Sequence, residues 1–140
     1  MGQETITINK IIGWLDVQHR GRWLRVSLRI LAVFYAFGAL VHYANIAGFG
    51  GAPWSDSPVS WKVLDVVYAL LDSGAVAGLW LRRPWGVAIF LLAALSQMVL
   101  YGFFPHLFAF TEEHFRGLQT MVLFHAVTVC VYLALLTSKK

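Results

Sequence analysis

The sequence predicts an all-α protein, a four-helix transmembrane bundle with a short N-terminal interfacial amphipathic helix. Three observations carry this. Hydrophobic residues make up 59% of the 140-residue chain and charged residues only 13%, against roughly 25% charged in an average soluble domain. A soluble domain this small cannot hide so much apolar surface from water. The apolar residues also gather in four blocks, 24–47, 62–81, 85–104 and 117–136, each long enough for a hydrocarbon layer about 30 Å thick at about 1.5 Å rise per residue. Backbone groups in lipid must be satisfied within the segment, so separate blocks of this length imply helices rather than a barrel.

The elements follow in order. Residues 1–22 form a cytoplasmic interfacial segment in which Ile8, Ile11, Ile12 and Leu15 recur at i, i+3, i+4, i+7 between polar residues, the pattern of a helix lying in the membrane surface. Residues 23–137 are the bundle. Its first span is too long for the apolar core of a cleaved signal and is read as a retained helix. The connection "GFGGAPWSDSP" is rich in Gly, Ser and Pro and should be irregular. Ser57 followed by Pro58 reads as an N-cap with proline at the first helical position, so the second helix should begin before its span does. "RRPWG" is a tight turn with Pro84 opening the third helix. "FFPHLFAFTEEHF" should lie along the surface, with Thr111 capping the fourth helix and Glu112 and Glu113 in its first turn. Residues 138–140 form a cytoplasmic tail. No internal repeat divides the chain.

Basic residues give the orientation. Of 11 Lys and Arg, nine (Lys10, Arg20, Arg22, Arg25, Arg29, Arg82, Arg83, Lys139, Lys140) fall on one side of the four-span plan, and only Lys62 and Arg116 on the other. The positive-inside rule puts both termini in the cytoplasm. Trp14, Trp23, Trp80 and Trp85 flank that boundary and Trp54 and Trp61 the opposite one, as an interfacial aromatic belt requires. Topology and lipid headgroups thus account for the net charge of +4, and nothing in it points to nucleic acid. The expected partners are the lipid bilayer and either a hydrophobic small molecule or a membrane protein complex.

The stretch "VLDVVYALLDSGAVAGLW" carries two carboxylates inside a span. Counted inward from the outer boundary, Asp65 lies about 4 Å deep and His42 about 6 Å, whereas Gln97, His125 and Asp72 lie about 10, 12 and 15 Å deep. Two tiers result, both in the outer half. Asp65, Tyr68 and Asp72 share one face of the second helix, Tyr35, Gly38, His42 and Asn45 one face of the first, and His114, Leu118, Met121 and His125 one face of the fourth. Charged groups at mid-bilayer cost about 2.5–3.5 kcal/mol, so these faces should turn toward each other. Asp72 and His125 are expected to pair directly or through one water, supported by Gln97 and Tyr68, with His42 and Asp65 at the mouth. The competing role for such residues is interhelical hydrogen bonding, worth about 0.6 kcal/mol per contact.

No catalytic motif is present, neither GxSxG nor HExxH, and "GFGG" lacks the strand-to-helix context of a phosphate loop. Bis-histidine haem would need two histidines at similar depth on facing helices; His42 and His125 are one unequal pair. His42, Asp65, Asp72 and His125 are metal-ligand types without a ligand spacing. No catalytic or metal residues are assigned, and cofactor use stays open. Cys130 cannot form an intramolecular disulfide and reads as a small packing residue.

The segments "LRILAVFYAFGALVHY", "GLWLRRPWG" and "LLAALSQMVLYGFFP" make the chain similar, over residues 24–136, to the small four-helix bacterial inner-membrane proteins grouped as DoxX-like. The resemblance implies a multi-pass protein of the bacterial inner membrane, associated with a membrane redox or quinone system. The expected role is an accessory or ligand-binding component with a buried polar site in the outer half of the bundle. The alternative is a proton-coupled small transporter, or a catalytic redox subunit binding haem or metal.

Overall fold

A computed structural model describes residues 21–49 and 53–137. It contains four α-helices, α1 (Arg22–Ile46), α2 (Val59–Trp80), α3 (Pro84–Phe103) and α4 (Glu112–Thr137), with 3-10 turns at Trp54–Asp56 and Pro105–Leu107. The expected interfacial helix over 8–15 and the basic tail at Lys139 and Lys140 lie outside the described residues. All four helices are long and apolar enough to cross a membrane. Each contains most of one apolar block of the sequence.

Local chemistry sets the helix ends. α1 closes where Gly48 enters the left-handed region at φ 82°, and Phe49 N–H donates back to Ala44 O at 2.8 Å. This is a Schellman stop, for which glycine carries no Cβ penalty. α2 ends the same way with a residue that does carry it: Arg82 sits at φ 55°, and Arg83 N–H reaches Gly78 O at 2.8 Å. Pro84 then opens α3, as the turn chemistry predicts. Thr111 Oγ1 accepts the His114 N–H at 3.1 Å and caps α4. The cap of α2 differs from expectation. Pro58, not Ser57, occupies the cap position, and its carbonyl accepts from Trp61 N–H at 3.0 Å and Lys62 N–H at 3.1 Å. The helix nevertheless starts before residue 62, as expected.

Short connections make each helix pack on its neighbours in sequence, α1 on α2, α2 on α3 and α3 on α4. α1 and α4 meet only sparsely. The bundle therefore has one open seam. At the end bearing the α2–α3 turn, α2 and α3 approach so closely that a Cβ on Gly78 would land on the Gly86 backbone. Leu28, Leu79, Val87 and Phe90 fill the core of that half. At the other end, the α3–α4 connection is tied over the start of α2: Trp61 Nε1 donates to Phe108 O at 3.0 Å and Ser60 Oγ to Leu107 O at 3.1 Å.

The exterior of this bundle is apolar, unlike that of a water-soluble one, and several ionisable or polar side chains lie inside. Phe37, Leu70 and Leu123 on its exterior are 70%, 66% and 64% exposed, while Asp65, Asp72, Gln97 and His125 are buried. In water such an exterior would be an aggregating surface. Against lipid it costs nothing, and the interior becomes the only cheap place for the ionisable groups.

Candidate functional site

The polar face read from helical spacing turns inward on α2 and largely so on α1, whereas on α4 only His125 of the expected face is buried and His114 and Met121 are exposed. Asp65, Tyr68 and Asp72 are all buried on α2, and they face polar groups from the other helices in two layers. In the layer nearer the end that carries the α1–α2 and α3–α4 connections, the loop-bearing end, His42 Nδ1 lies 2.8 Å from Asp65 Oδ1, which also accepts from Asn45 Nδ2 at 3.1 Å. His42 stacks on Tyr68 with ring centroids 5.9 Å apart. Tyr68 OH in turn meets Ser96 Oγ at 3.1 Å.

The deeper layer centres on His125. Its Nε2 lies 2.9 Å from Gln97 Oε1 and its Nδ1 3.3 Å from Tyr35 OH. With the amide oxygen on Nε2, the ring donates there and accepts the Tyr35 hydroxyl at Nδ1. Both ring nitrogens are thereby occupied, so His125 in this arrangement presents none to a haem or metal. Among the described residues no three His, Cys, Asp or Glu side chains gather into a metal-holding set.

Asp72 does not join this layer. The expected Asp72–His125 contact is replaced by a different geometry: no hydrogen bond links the two, and Asp72 leans toward α1. Its Oδ2 lies 3.9 Å from His42 Nε2. Gly38 makes this possible, because a Cβ there would come within 2.7 Å of Oδ2. Depth along a helix gives height but not direction around it, and α1 is the nearer neighbour of α2. Asp72 is only 3% exposed, yet its Oδ1 has no hydrogen-bond partner. A buried carboxylate oxygen without a donor is costly, and such a group calls for an explanation.

Space accompanies it. A cavity of about 340 Å³ lies on the α1–α4 seam, with Asp72, His42, Gln97 and His125 among its walls and Phe34, Phe37 and Phe124 around them. Toward the loop-bearing end it adjoins a vestibule of about 280 Å³ that shares His42, Gln97 and Met121 and adds Asp65, Trp61 and His114. Toward the other end a groove of about 230 Å³, sharing Phe34, follows the seam between Leu24 and Val131. All six sequence-predicted residues are thus accounted for. Asp72, His125, Gln97 and His42 line the cavity, Asp65 lines the vestibule, and Tyr68 supports His42 from behind. Tyr35 and Gly38 were visible as members of the polar face of α1. Their roles, holding His125 and admitting Asp72, depend on which helix stands opposite and had no signal in spacing.

Together these features define a class: an all-helical bundle of four described helices, each long and apolar enough to cross a membrane, with a polar-floored cleft along one open seam. The chain belongs to the family DUF6163, a family of unknown function, which it matches over residues 22–139. No curated protein and no solved structure matches it.

Proposed function

We propose that this is a multi-pass protein of the bacterial inner membrane, with both termini cytoplasmic, that binds a small amphiphile in the cleft between α1 and α4. The observation that carries the reading is the cavity itself. It is lined by Asp72, whose carboxyl keeps a buried oxygen without a hydrogen-bond partner, and it adjoins an apolar groove along the α1–α4 seam. Concave, mostly apolar pockets with a few convergent polar groups are the usual form of small-molecule sites. A ligand could enter sideways from the lipid, where α1 and α4 are least packed. The protein would then serve as an accessory component, and the DoxX-like resemblance of its sequence supports association with a membrane redox or quinone system.

Extraction of the protein purified in mild detergent, followed by mass spectrometry, tests the binding reading. A compound should be enriched over a detergent control in the native protein and lost from Met121→Trp, which fills the cavity wall shared with the vestibule. Identical extracts from both proteins would remove the reading.

A second reading, proton-coupled transport, is favoured by one specific feature. Asp65, His42 and Asp72 form a line from vestibule to cavity, with separations of 2.8 and 3.9 Å. Carboxylates and histidines in such chains are the material of intramembrane proton relays.

A further inference from the structure

The chemistry around Asp72 narrows what the cavity can hold. The walls supply one carboxylate with an unpartnered oxygen and four aromatic side chains, Phe34, Tyr35, Phe37 and Phe124. Among the described residues, no Lys or Arg lines the cavity, the groove or the vestibule. A buried anion without a fixed protein cation is strongly destabilised unless a partner arrives. Aromatic faces around it attract the same partner, since the negative face of a ring binds alkylammonium heads. The groove running along the seam past Leu28, Leu31 and Val127 offers an apolar bed to whatever chain the head carries.

From this we infer that the ligand is a lipophilic ammonium ion, its head on the Asp72 carboxylate within the aromatic walls and its chain along the α1–α4 seam. The inference rests on the proposed reading of the cavity as a ligand site and adds the charge and shape of the ligand. Asp72 holds one positive charge at a time. When the ammonium ion binds, the carboxyl proton leaves and a carboxylate–ammonium pair forms. His42 and Asp65 stand between Asp72 and the vestibule to carry that proton away. The titratable groups that face Asp72 are Tyr35 and His42 from α1, Asp65 and Tyr68 on α2 itself, Tyr101 from α3 and His125 from α4.

The test uses the full chain in lipid nanodiscs with tritiated decyltrimethylammonium, a cation that does not titrate, and with decanol and decyl sulfonate as competitors of equal chain length. The cation should bind saturably, decyl sulfonate should not compete, and decanol should compete weakly. Lowering the pH should weaken binding, because the proton takes the same carboxylate. His42→Gln should keep the pH dependence and Asp72→Asn should lose it. Asp72→Asn should also lose roughly tenfold or more in affinity, as removing one partner of a buried charge pair does. The pH titration and competition on the native protein decide the matter even if Asp72→Asn fails to fold. The Gln97 amide nitrogen would suit a hydroxyl head. Decanol binding as tightly as the cation, independently of pH, would therefore overturn the ammonium inference and leave the ligand-binding reading standing. Saturable binding of none of the three would overturn both.

Discussion

Gly38 of α1 lies directly against the Asp72 carboxyl of α2, so that a Cβ added at Gly38 would stand 2.7 Å from Asp72 Oδ2. The missing side chain is what lets a carboxyl group occupy the space between two helices. Gly38→Ala should therefore push the Asp72 carboxyl aside toward the adjoining cavity and cost about 1 kcal/mol, the low end for overpacking, because a side-chain tip with space beside it can yield. In an Asp72→Ala background the same change should cost little, because the obstructing carboxyl is gone. Thermal unfolding of the four proteins in one detergent reads the coupling. Equal costs in both backgrounds would mean that the two residues do not abut.

The His125 layer makes a second, separable prediction. Gln97→Leu leaves the His125 Nε2–H buried without its acceptor and should cost about 1–3 kcal/mol, whereas Tyr35→Phe, which removes a longer bond, should cost about 0.5–1.5 kcal/mol. Gln97→Leu and His125→Leu should be strongly non-additive. Asp72→Leu and His125→Leu should couple far more weakly, since the two share a cavity wall but no hydrogen bond. A large coupling in the second cycle would return Asp72 to His125.

Close approach of backbones at the α2–α3 turn gives a third. Gly78→Ala and Gly86→Ala each place a Cβ into the other helix's backbone, which cannot move aside as a side chain can. Both should abolish a monodisperse, helical species in size exclusion and circular dichroism. Gly102→Ala on α3 is the control, because nothing lies within 4 Å of its added Cβ. It should be neutral or stabilising, given that alanine is favoured over glycine in a helix by about 1 kcal/mol. A folded Gly78→Ala protein would show that α2 and α3 are not held at this distance.

Much of this architecture was legible because long apolar blocks and helical spacing leave simple marks in sequence. Block length gave four helices, and Pro84 and Thr111 marked where α3 and α4 begin. The spacing of Asp65, Tyr68 and Asp72 correctly gave one inward face. Spacing and depth also paired His42 with Asp65 and grouped Gln97 with His125. What they could not give was azimuth, the direction in which each inward face meets its neighbour. Asp72 and His125 share a depth range and line one cavity, yet α1 receives Asp72 because Gly38 leaves room. The open α1–α4 seam was equally hidden, since no local pattern records how tightly the first and last helices close a bundle. Pro58 in the cap position of α2 was a smaller miss of one residue, within the usual uncertainty of helix ends.

The last prediction concerns orientation, on which the inner-membrane reading depends. The α2–α3 turn carries Arg82 and Arg83, whereas the opposite end of the described bundle has Lys62 near the start of α2 and Arg116 in the first turns of α4. Translocating the arginine pair would be opposed by the positive-inside bias, so that turn should face the cytoplasm. Exposed Trp80 and Trp85 flank the same turn, and Arg29 lies 5.8 Å over the Trp80 ring, as expected of groups gathered at a headgroup boundary. In a Cys130→Ser background, cysteines introduced at Ser57 and Thr111 should therefore react with an impermeant maleimide added outside intact cells. A cysteine at Arg83 should react only after the membrane is permeabilised. Labelling of the Arg83 site from outside would invert the protein. The vestibule with Asp65 and His42 would then open to the cytoplasm, and any proton released from Asp72 would leave on that side.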